Sequence, residues 1–393
     1  MAARFAAPLA CMTLAVPLPD IVRSLAETFA DRAAGHDRAG TFPHDNIAAL
    51  RAAGLLALTV PRRLGGGGAG LVRAAASVRT IAAGDPATAL VLAMQCLQHG
   101  IIHRADSAWP RAVAEAVGRA AVETGALINA LRVEPELGTP ARGGVPETIA
   151  RRDGKVWRIT GRKIYATGAP GLAYGVVFVR TDEDVPRIGN VLVPFAAKGL
   201  RVAETWDHLG LRSSASHDVF FEDVPVPDDH AVDLRPPEGW QRPDPAQQAW
   251  SCGLLAALYD GVAGAAQNWF VGYLLARKPG SLGAPLASLP RVQEAVGENA
   301  QLLAINARLV AGLAAEVDAG RPPPPHEAGF VKLTVTENAI AVVQRAVEFC
   351  GNAALARANP LERHLRDVLC ARIHWPQADA VRVAAGKAAL DVR

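Results

Sequence analysis

The sequence predicts an α+β protein built in three blocks, helical, then β, then helical again. Two changes of period carry this. From Asp20 to about Gly125 apolar residues recur at three- and four-residue spacing, the mark of a helix with one buried face. From about Leu127 to Pro227 the period drops to alternation, with Gly, Pro and Asp between short runs, and from Pro245 onward it is helical again. A third observation, the prolines Pro225, Pro227, Pro236 and Pro237, marks the exit from the β block. The expected division is a loose extension over residues 1–19, an N-terminal helical domain over 20–126, a β domain of barrel or sandwich type over 127–232 and a C-terminal helical bundle over 233–393.

In the first block the periodic sets are Ile21-Leu25-Phe29, Ile47-Leu50 and Val91 through Ile102, punctuated by Pro43, Gly54 and Pro61. The run Gly65 to Gly68 invites a phosphate-loop reading, but no lysine with Ser or Thr follows it, so a flexible turn is expected.

The β block offers runs at Glu147–Arg152, Lys155–Thr160, Tyr174–Thr181, Asn190–Phe195, Leu200–Glu204 and His217–Phe221. Asp153-Gly154 between the first two is a hairpin signal. The stretch Gly161 to Gly168 follows, and within it an aromatic ring, Tyr165, and a hydroxyl, Thr167, stand two residues apart. On a regular strand they share a face and together suit one planar ligand. The plainer reading, a half-buried strand with a satisfied hydroxyl, stays open on these residues alone.

The last block reads as long helices at Ala246–Ala276, Leu289–Ala319 and His326–Phe349, then Pro360–Leu369 and Pro376–Leu390. Helices this long and apolar need partners on several sides, which predicts a bundle that also buries surface against another subunit.

Bulk properties exclude several classes. The chain has 393 residues, enough for two or three domains with a substantial core. A net charge of +3 with scattered Lys and Arg leaves no nucleic-acid footprint. Cys11, Cys96, Cys252, Cys350 and Cys370 lie far apart, with neither metal-ligand nor disulfide spacing, so no metal and a reducing cytoplasm are expected. Met1 to Pro19 is broken by Pro8, Pro17 and Pro19, and Trp250 to Ala276 is interrupted by Asp260, Gln267 and Asn268, so no membrane partner is expected.

Five patches resemble the acyl-CoA dehydrogenase superfamily, in order and over nearly the whole chain. Val133-Glu134-Pro135-Glu136-Leu137-Gly138-Thr139 resembles its Thr-Glu-Pro-x-x-Gly-Ser stretch, with Val for the first Thr. Lys163-Ile164-Tyr165-Ala166-Thr167-Gly168 is similar to its Lys-x-Trp-Ile-Thr-Asn stretch. Leu209 to Ser214 through Phe221 to Pro227 is similar to the end of its β domain. Arg277 with Gly280 and Gln293 resembles its Arg-x-x-Phe-Gly…Gln region without the Phe, and Phe349-Cys350-Gly351 with Glu362 to Asp367 resembles its Cys-Gly-Gly…Arg-Asp pattern. The resemblance implies a C-terminal four-helix bundle and a flavin, FAD or FMN, between the β domain and that bundle. It implies Glu134, Tyr165, Thr167, Arg277, Gly351 and Asn352 as cofactor-binding residues, with Arg277 reaching a neighbouring protomer's phosphates. A homotetramer, or a homodimer, is the implied assembly.

Dehydrogenases of this superfamily remove the proton α to a thioester with a carboxylate, often nine residues after the Arg of the Arg-Asp pair. Counted from Arg366 that position is Trp375, between His374 and Pro376, and it carries no carboxylate. Arg372-Ile373-His374-Trp375-Pro376 instead resembles the reduced-flavin-dependent monooxygenase branch, of dibenzothiophene monooxygenase type. By that resemblance the catalytic residues are His99, Thr167 and His374, with His103 and Trp375 at the substrate pocket. A second C-terminal His of that branch falls at Ala371.

Three functions follow. The first is a two-component monooxygenase acting through a C4a-(hydro)peroxyflavin on a small sulfur, nitrogen or aromatic compound, its reduced flavin coming from a separate flavin reductase because no nicotinamide fingerprint is present. The second is an acyl-CoA dehydrogenase with its base relocated to the region of Tyr259 and Asp260. The third is a non-catalytic flavin-binding or scaffold homologue.

Overall fold

The structure is a computed structural model that describes residues 18–137, 144–240 and 244–392. The expected extension over 1–19 lies outside it apart from its last two residues, as do Gly138 and Thr139.

Five helices form the first block: α1 (Asp20–Ala39), α2 (His44–Ala52), α3 (Leu71–Gly84), α4 (Pro86–Ile102) and α5 (Arg111–Thr124). The break between α3 and α4 is chemical. Asp85 accepts a hydrogen bond from the Ala87 N–H, and Pro86 occupies the first helical turn, where its missing N–H costs nothing. The four-glycine run is not the flexible turn its composition suggests. It folds back on Ala57–Pro61, with the Gly67 N–H donating to the Ala57 carbonyl and the Gly68 N–H to the Val60 carbonyl. A Cβ at Gly66 or Gly67 would meet the Val60 or Leu58 backbone, so the glycines serve close approach rather than an anion.

The middle block is one eight-stranded mixed sheet: β1 (Leu127–Leu131), β2 (Ile149–Asp153), β3 (Val156–Ala166), β4 (Leu172–Thr181), β5 (Ile188–Pro194), β6 (Leu200–Ala203), β7 (His217–Pro227) and β8 (Asp233–Arg235). Its order is β6-β7-β3-β2-β4-β5-β8, with β1 alongside β4. One edge of β4 carries β5, while the other carries first β1 and then the start of β2, both parallel to it. The hairpin between β2 and β3 exists, but Asp153 pairs with Val156 and the loop is Gly154-Lys155. Only Gly154, at φ 62, is left-handed, which makes it a glycine-first turn rather than one with both central residues at positive φ.

The last block holds α6 (Pro245–Ala276), α7 (Pro290–Asp318), α8 (Pro325–Cys350), a single turn α9 (Asn352–Leu355), α10 (Leu361–Leu369) and α11 (Ala378–Leu390). α6 is apolar on every side because it is packed on every side, against α3 and α4 as well as α7, α8 and α10. Leu254, Leu258, Val262 and Phe270 are fully buried along it, each side chain contributing roughly 1.5–3 kcal/mol of transfer free energy. α7 is long and apolar enough to cross a bilayer, and in this fold it packs on α3, α6 and α8.

Candidate active site

The end of β3 is anchored by a buried ion pair. Lys163 donates to the Glu134 carboxylate at 2.6 Å, with the two side chains 0% and 1% exposed. Glu134 also accepts from the Thr148 hydroxyl at 2.5 Å and from the backbone N–H groups of Glu147 and Thr148. Burial opposes ionisation of both groups. The partners nonetheless hold Glu134 below the usual carboxylate range, while burial draws Lys163 down to about 8. The Glu134 carboxylate is therefore taken up by protein groups.

Beyond Lys163 the strand loses its alternation. The β3–β7 register shifts between Lys163 and Ala166, and Tyr165 sits at φ 59, a strained left-handed backbone for an aromatic residue. β3 stops at Ala166, so Tyr165 and Thr167 do not share a strand face in the simple sense. The Tyr165 ring is instead turned outward, 52% exposed, edge-on to Trp206 and His208, which stack on each other with centroids 3.6 Å apart. Thr167 shares a hydrogen bond with the Ser216 hydroxyl at 3.1 Å, and Ser216 shares another with Ser214 at 2.9 Å. The Asn129 amide donates to the Thr167 carbonyl, and the Gly168 N–H to the Ser214 carbonyl. A short hydroxyl chain thus stands next to an exposed ring.

The Arg366-Asp367 pair ties the three blocks together. Arg366 donates to both oxygens of Asp37 on α1, at 2.9 and 2.7 Å, to Glu362 and to the Leu209 carbonyl. Asp367 accepts from the Leu211 N–H at 2.7 Å. Gly210 fits because a Cβ there would meet the Arg366 carbonyl. Burial lifts the Asp367 carboxyl to about 7 from an ordinary 3.8, against the pull of the Leu211 N–H and of Arg363. A carboxyl raised on folding favours the folded state most below its unfolded value, and that contribution is lost as pH rises through about 7. Asp367→Asn keeps an acceptor for Leu211 and drops the charge. Its urea midpoint is expected to improve relative to the native chain as pH rises from about 4 to about 7, and a pH-independent difference would refute this.

The C-terminal candidates gather around α6 and α8. His374 Nδ1 lies 2.6 Å from the Tyr259 hydroxyl. Burial, and then the Lys332 charge, push His374 down to about 4, while burial holds Tyr259 well above its ordinary value. Tyrosine keeps its proton, and where it donates that proton to Nδ1 the N–H of a neutral His374 stands at Nε2. Lys332 donates to the carbonyls of Ala371, His374 and Pro376. Asp260, adjacent to Tyr259, is committed elsewhere: it pairs with Arg79 at 2.5 Å, accepts from Asn306 at 3.0 Å and is 1% exposed.

His99 and His103 pair with each other, Nδ1 to Nε2 at 3.3 Å with stacked rings. Burial lowers them to about 3 and about 4, so both are neutral at working pH, and His99 Nε2 and His103 Nδ1 have no protein partner. Among the described residues no hydrogen bond joins this pair to Thr167 or to His374.

Arg277 caps the end of α6 with its backbone N–H on the Tyr273 carbonyl, while its side chain is exposed and makes no hydrogen bond or ion pair among the described residues. Gly351, at φ 55, is the exposed turn between α8 and α9, and the exposed Asn352 opens α9. Trp375 is half-buried beside His374. Sequence reasoning missed Lys332, Ser216 and the Tyr259–His374 bond. For Lys332 a signal existed, since Ala328, Lys332, Val335 and Ala339 share the buried face of α8.

Comparison with known proteins places this geometry in a family. Residues 18–108 match the family model "Acyl-CoA dehydrogenase, N-terminal domain", 132–224 that of the middle domain and 255–374 that of the C-terminal domain. YdbM of Bacillus subtilis (strain 168), whose name places it among the acyl-CoA dehydrogenases, is 34% identical over 367 residues, covering 91% of this chain and 92% of YdbM. L-evernosamine nitrososynthase of Micromonospora sp. (strain ATCC 39149 / NRRL 15099 / SCC 1413) is 31% identical over 399 residues, covering 94% of this chain and 89% of that enzyme. The crystal structure of KijD3 in complex with FMN and dTDP-3-amino-2,3,6-trideoxy-4-keto-3-methyl-D-glucose superposes with a TM-score of 0.80 at 28% identity, covering 99% of this chain and 97% of KijD3. The chain belongs to the acyl-CoA dehydrogenase family.

Proposed function

We propose that, within the flavin-dependent oxidoreductases of this family, the chain is a monooxygenase that receives reduced flavin from a separate reductase and oxidises a small organic substrate. One observation carries the reading. Where a family dehydrogenase needs a carboxylate to take an α-proton, this chain presents a neutral His374 bonded to Tyr259, and the acid beside Tyr259, Asp260, and the acid of the Arg-Asp pair, Asp367, are buried in other partnerships. An imidazole held near 4 is a poor base for a thioester α-proton, yet its Nε2–H is a good donor to an oxygen atom.

The residues at the end of β3 fit a flavin. Tyr165 is held strained and outward, as a stacking surface for a flat ring requires, and the hydroxyl chain Thr167–Ser216–Ser214 stands ready for a polar ring edge. Arg277, exposed and unpaired among the described residues, suits the phosphate of a flavin in a neighbouring protomer of a homotetramer or homodimer, with Gly351 and Asn352 near the same end. Reduced flavin, when bound, supplies two electrons to O2, so that one oxygen atom goes to the substrate and the other leaves as water. Thr167 orients the reacting edge, His374 donates and recovers the proton, and Tyr259 fixes the His374 tautomer. His99 and His103 shape the pocket, and their unpartnered nitrogens are groups that a substrate or an ordered water would satisfy. Among the substrate classes open to such chemistry, the nitrososynthase relative favours an amine nitrogen, and KijD3 favours FMN.

The second reading, an acyl-CoA dehydrogenase, draws on the identity to YdbM. Turnover with reduced FMN, a panel of amines and isotopically labelled O2 separates the two. One labelled oxygen atom in the product is expected. Anaerobic bleaching of the oxidised flavin by a short-chain acyl-CoA would refute the oxygenase.

A further inference from the structure

We infer that Lys332 is a positioning residue of this site, its ammonium group holding the Ala371–Pro376 turn in the conformation that brings the His374 imidazole to Tyr259. The inference rests on the reading of His374 as the proton donor and adds what keeps it there. Lys332 lies in the middle of α8, 2% exposed. A lysine is almost never buried so deeply without a carboxylate partner, and among the described residues none lies within ion-pair reach of it. Its three N–H groups go instead to three backbone carbonyls, Ala371 at 2.8 Å, His374 at 2.8 Å and Pro376 at 3.2 Å.

Those carbonyls belong to the short helix Cys370–Arg372 and the irregular turn after it, which have no regular ladder to satisfy them. A cation at the C-terminal end of a helix is favoured by the local dipole, and here it comes from outside the segment. An apolar residue in its place would pack on α8 and leave three carbonyls without a donor. Because one acceptor is the carbonyl of His374 itself, the bond fixes the backbone of the residue whose Nδ1 lies 2.6 Å from the Tyr259 hydroxyl.

The charge has a second effect. The groups facing His374 are Tyr259 from α6 and Lys332 from α8, with Cys252 and Glu337 behind Lys332 and Asp367 and Cys370 behind Tyr259. After burial, the Lys332 charge lowers the imidazole further. Burial in turn draws Lys332 down to about 8, so as pH rises through that value the native chain loses the cation and one of its three donors, which weakens the grip on the turn.

The test uses the flavin-loaded full chain and two variants, Lys332→Met and Lys332→Arg. His374 titration is read by NMR, with His374→Gln identifying its signal, beside kcat against pH. Lys332→Met is expected to raise the His374 midpoint by roughly one pH unit and to lower kcat by roughly 10-fold or more, with KM far less affected. Lys332→Arg, which stays charged at all working pH, is expected to keep His374 neutral and to remove the fall in rate above about pH 8. If Lys332→Met lowers only Tm, with the His374 titration and kcat unmoved, or if Lys332→Arg keeps the native alkaline limb, the positioning role is wrong. The NMR arm needs no turnover. A His374 shift in a chain that oxygenates nothing would uphold Lys332 and overturn the oxygenase reading instead.

Discussion

His374→Ala is expected to cut oxygenated product by about 100-fold or more while flavin affinity stays within about twofold of native, because general acid–base groups supply about 100- to 10,000-fold. The separation of the two effects is the point. His374 bonds to Tyr259 and lies in a turn held by Lys332, while at the proposed flavin seat Thr167 bonds to Ser216. A flavin titration followed by product quantification on the same sample reads both. Tyr259→Phe removes only the donor to Nδ1 and should give a smaller loss, because His374 keeps its place and loses its fixed tautomer. Equal product from His374→Ala and native chain would remove His374 from the mechanism.

Lys163→Met is expected to lower stability by about 3–5 kcal/mol, the cost of leaving a buried carboxylate without its cation. The Glu134 oxygens remain in contact with Thr148 and Glu147, so the carboxylate keeps hydrogen bonds and loses charge compensation. Lys163 also precedes the register shift that aims Tyr165, so weakened flavin binding should accompany the loss. Denaturant midpoints measure the first effect and flavin titration the second. The double variant Lys163→Met/Glu134→Gln should recover much of the stability, since two neutral groups no longer leave a lone charge buried. A loss below about 1 kcal/mol for Lys163→Met would show the pair to be dispensable.

The order of blocks was legible because period is a local property: α1, α5 and α8 carry three- and four-residue spacing, and β4 and β5 carry β-branched runs. β1 escaped because Leu127-Ile128-Asn129-Ala130-Leu131 is a short apolar run that periodicity cannot assign, and β8 because three residues with Asp and Arg at the ends look like a loop. The alternation argument placed Tyr165 and Thr167 together, but a strand cannot announce its own register shift, which depends on β7. Resemblance found the Arg366-Asp367 pair, yet its use, a clamp onto an aspartate 329 residues earlier, exists only in three dimensions. His374 was legible as a departure from a pattern. Its partners Tyr259 and Lys332 were not, because a hydroxyl on an apolar helix and a lysine on a buried face gain meaning only from what the fold brings to them.

Rapid mixing of the chain, loaded with reduced flavin, against oxygenated buffer tests the oxygenase reading most directly. If the chain is an oxygenase, oxidised-flavin absorbance should return far more slowly than it does for free reduced flavin, and substrate should change that rate and appear as oxygenated product. The contrary result is immediate reoxidation with stoichiometric hydrogen peroxide, unaltered by any substrate, in a chain whose oxidised flavin is bleached by acyl-CoA.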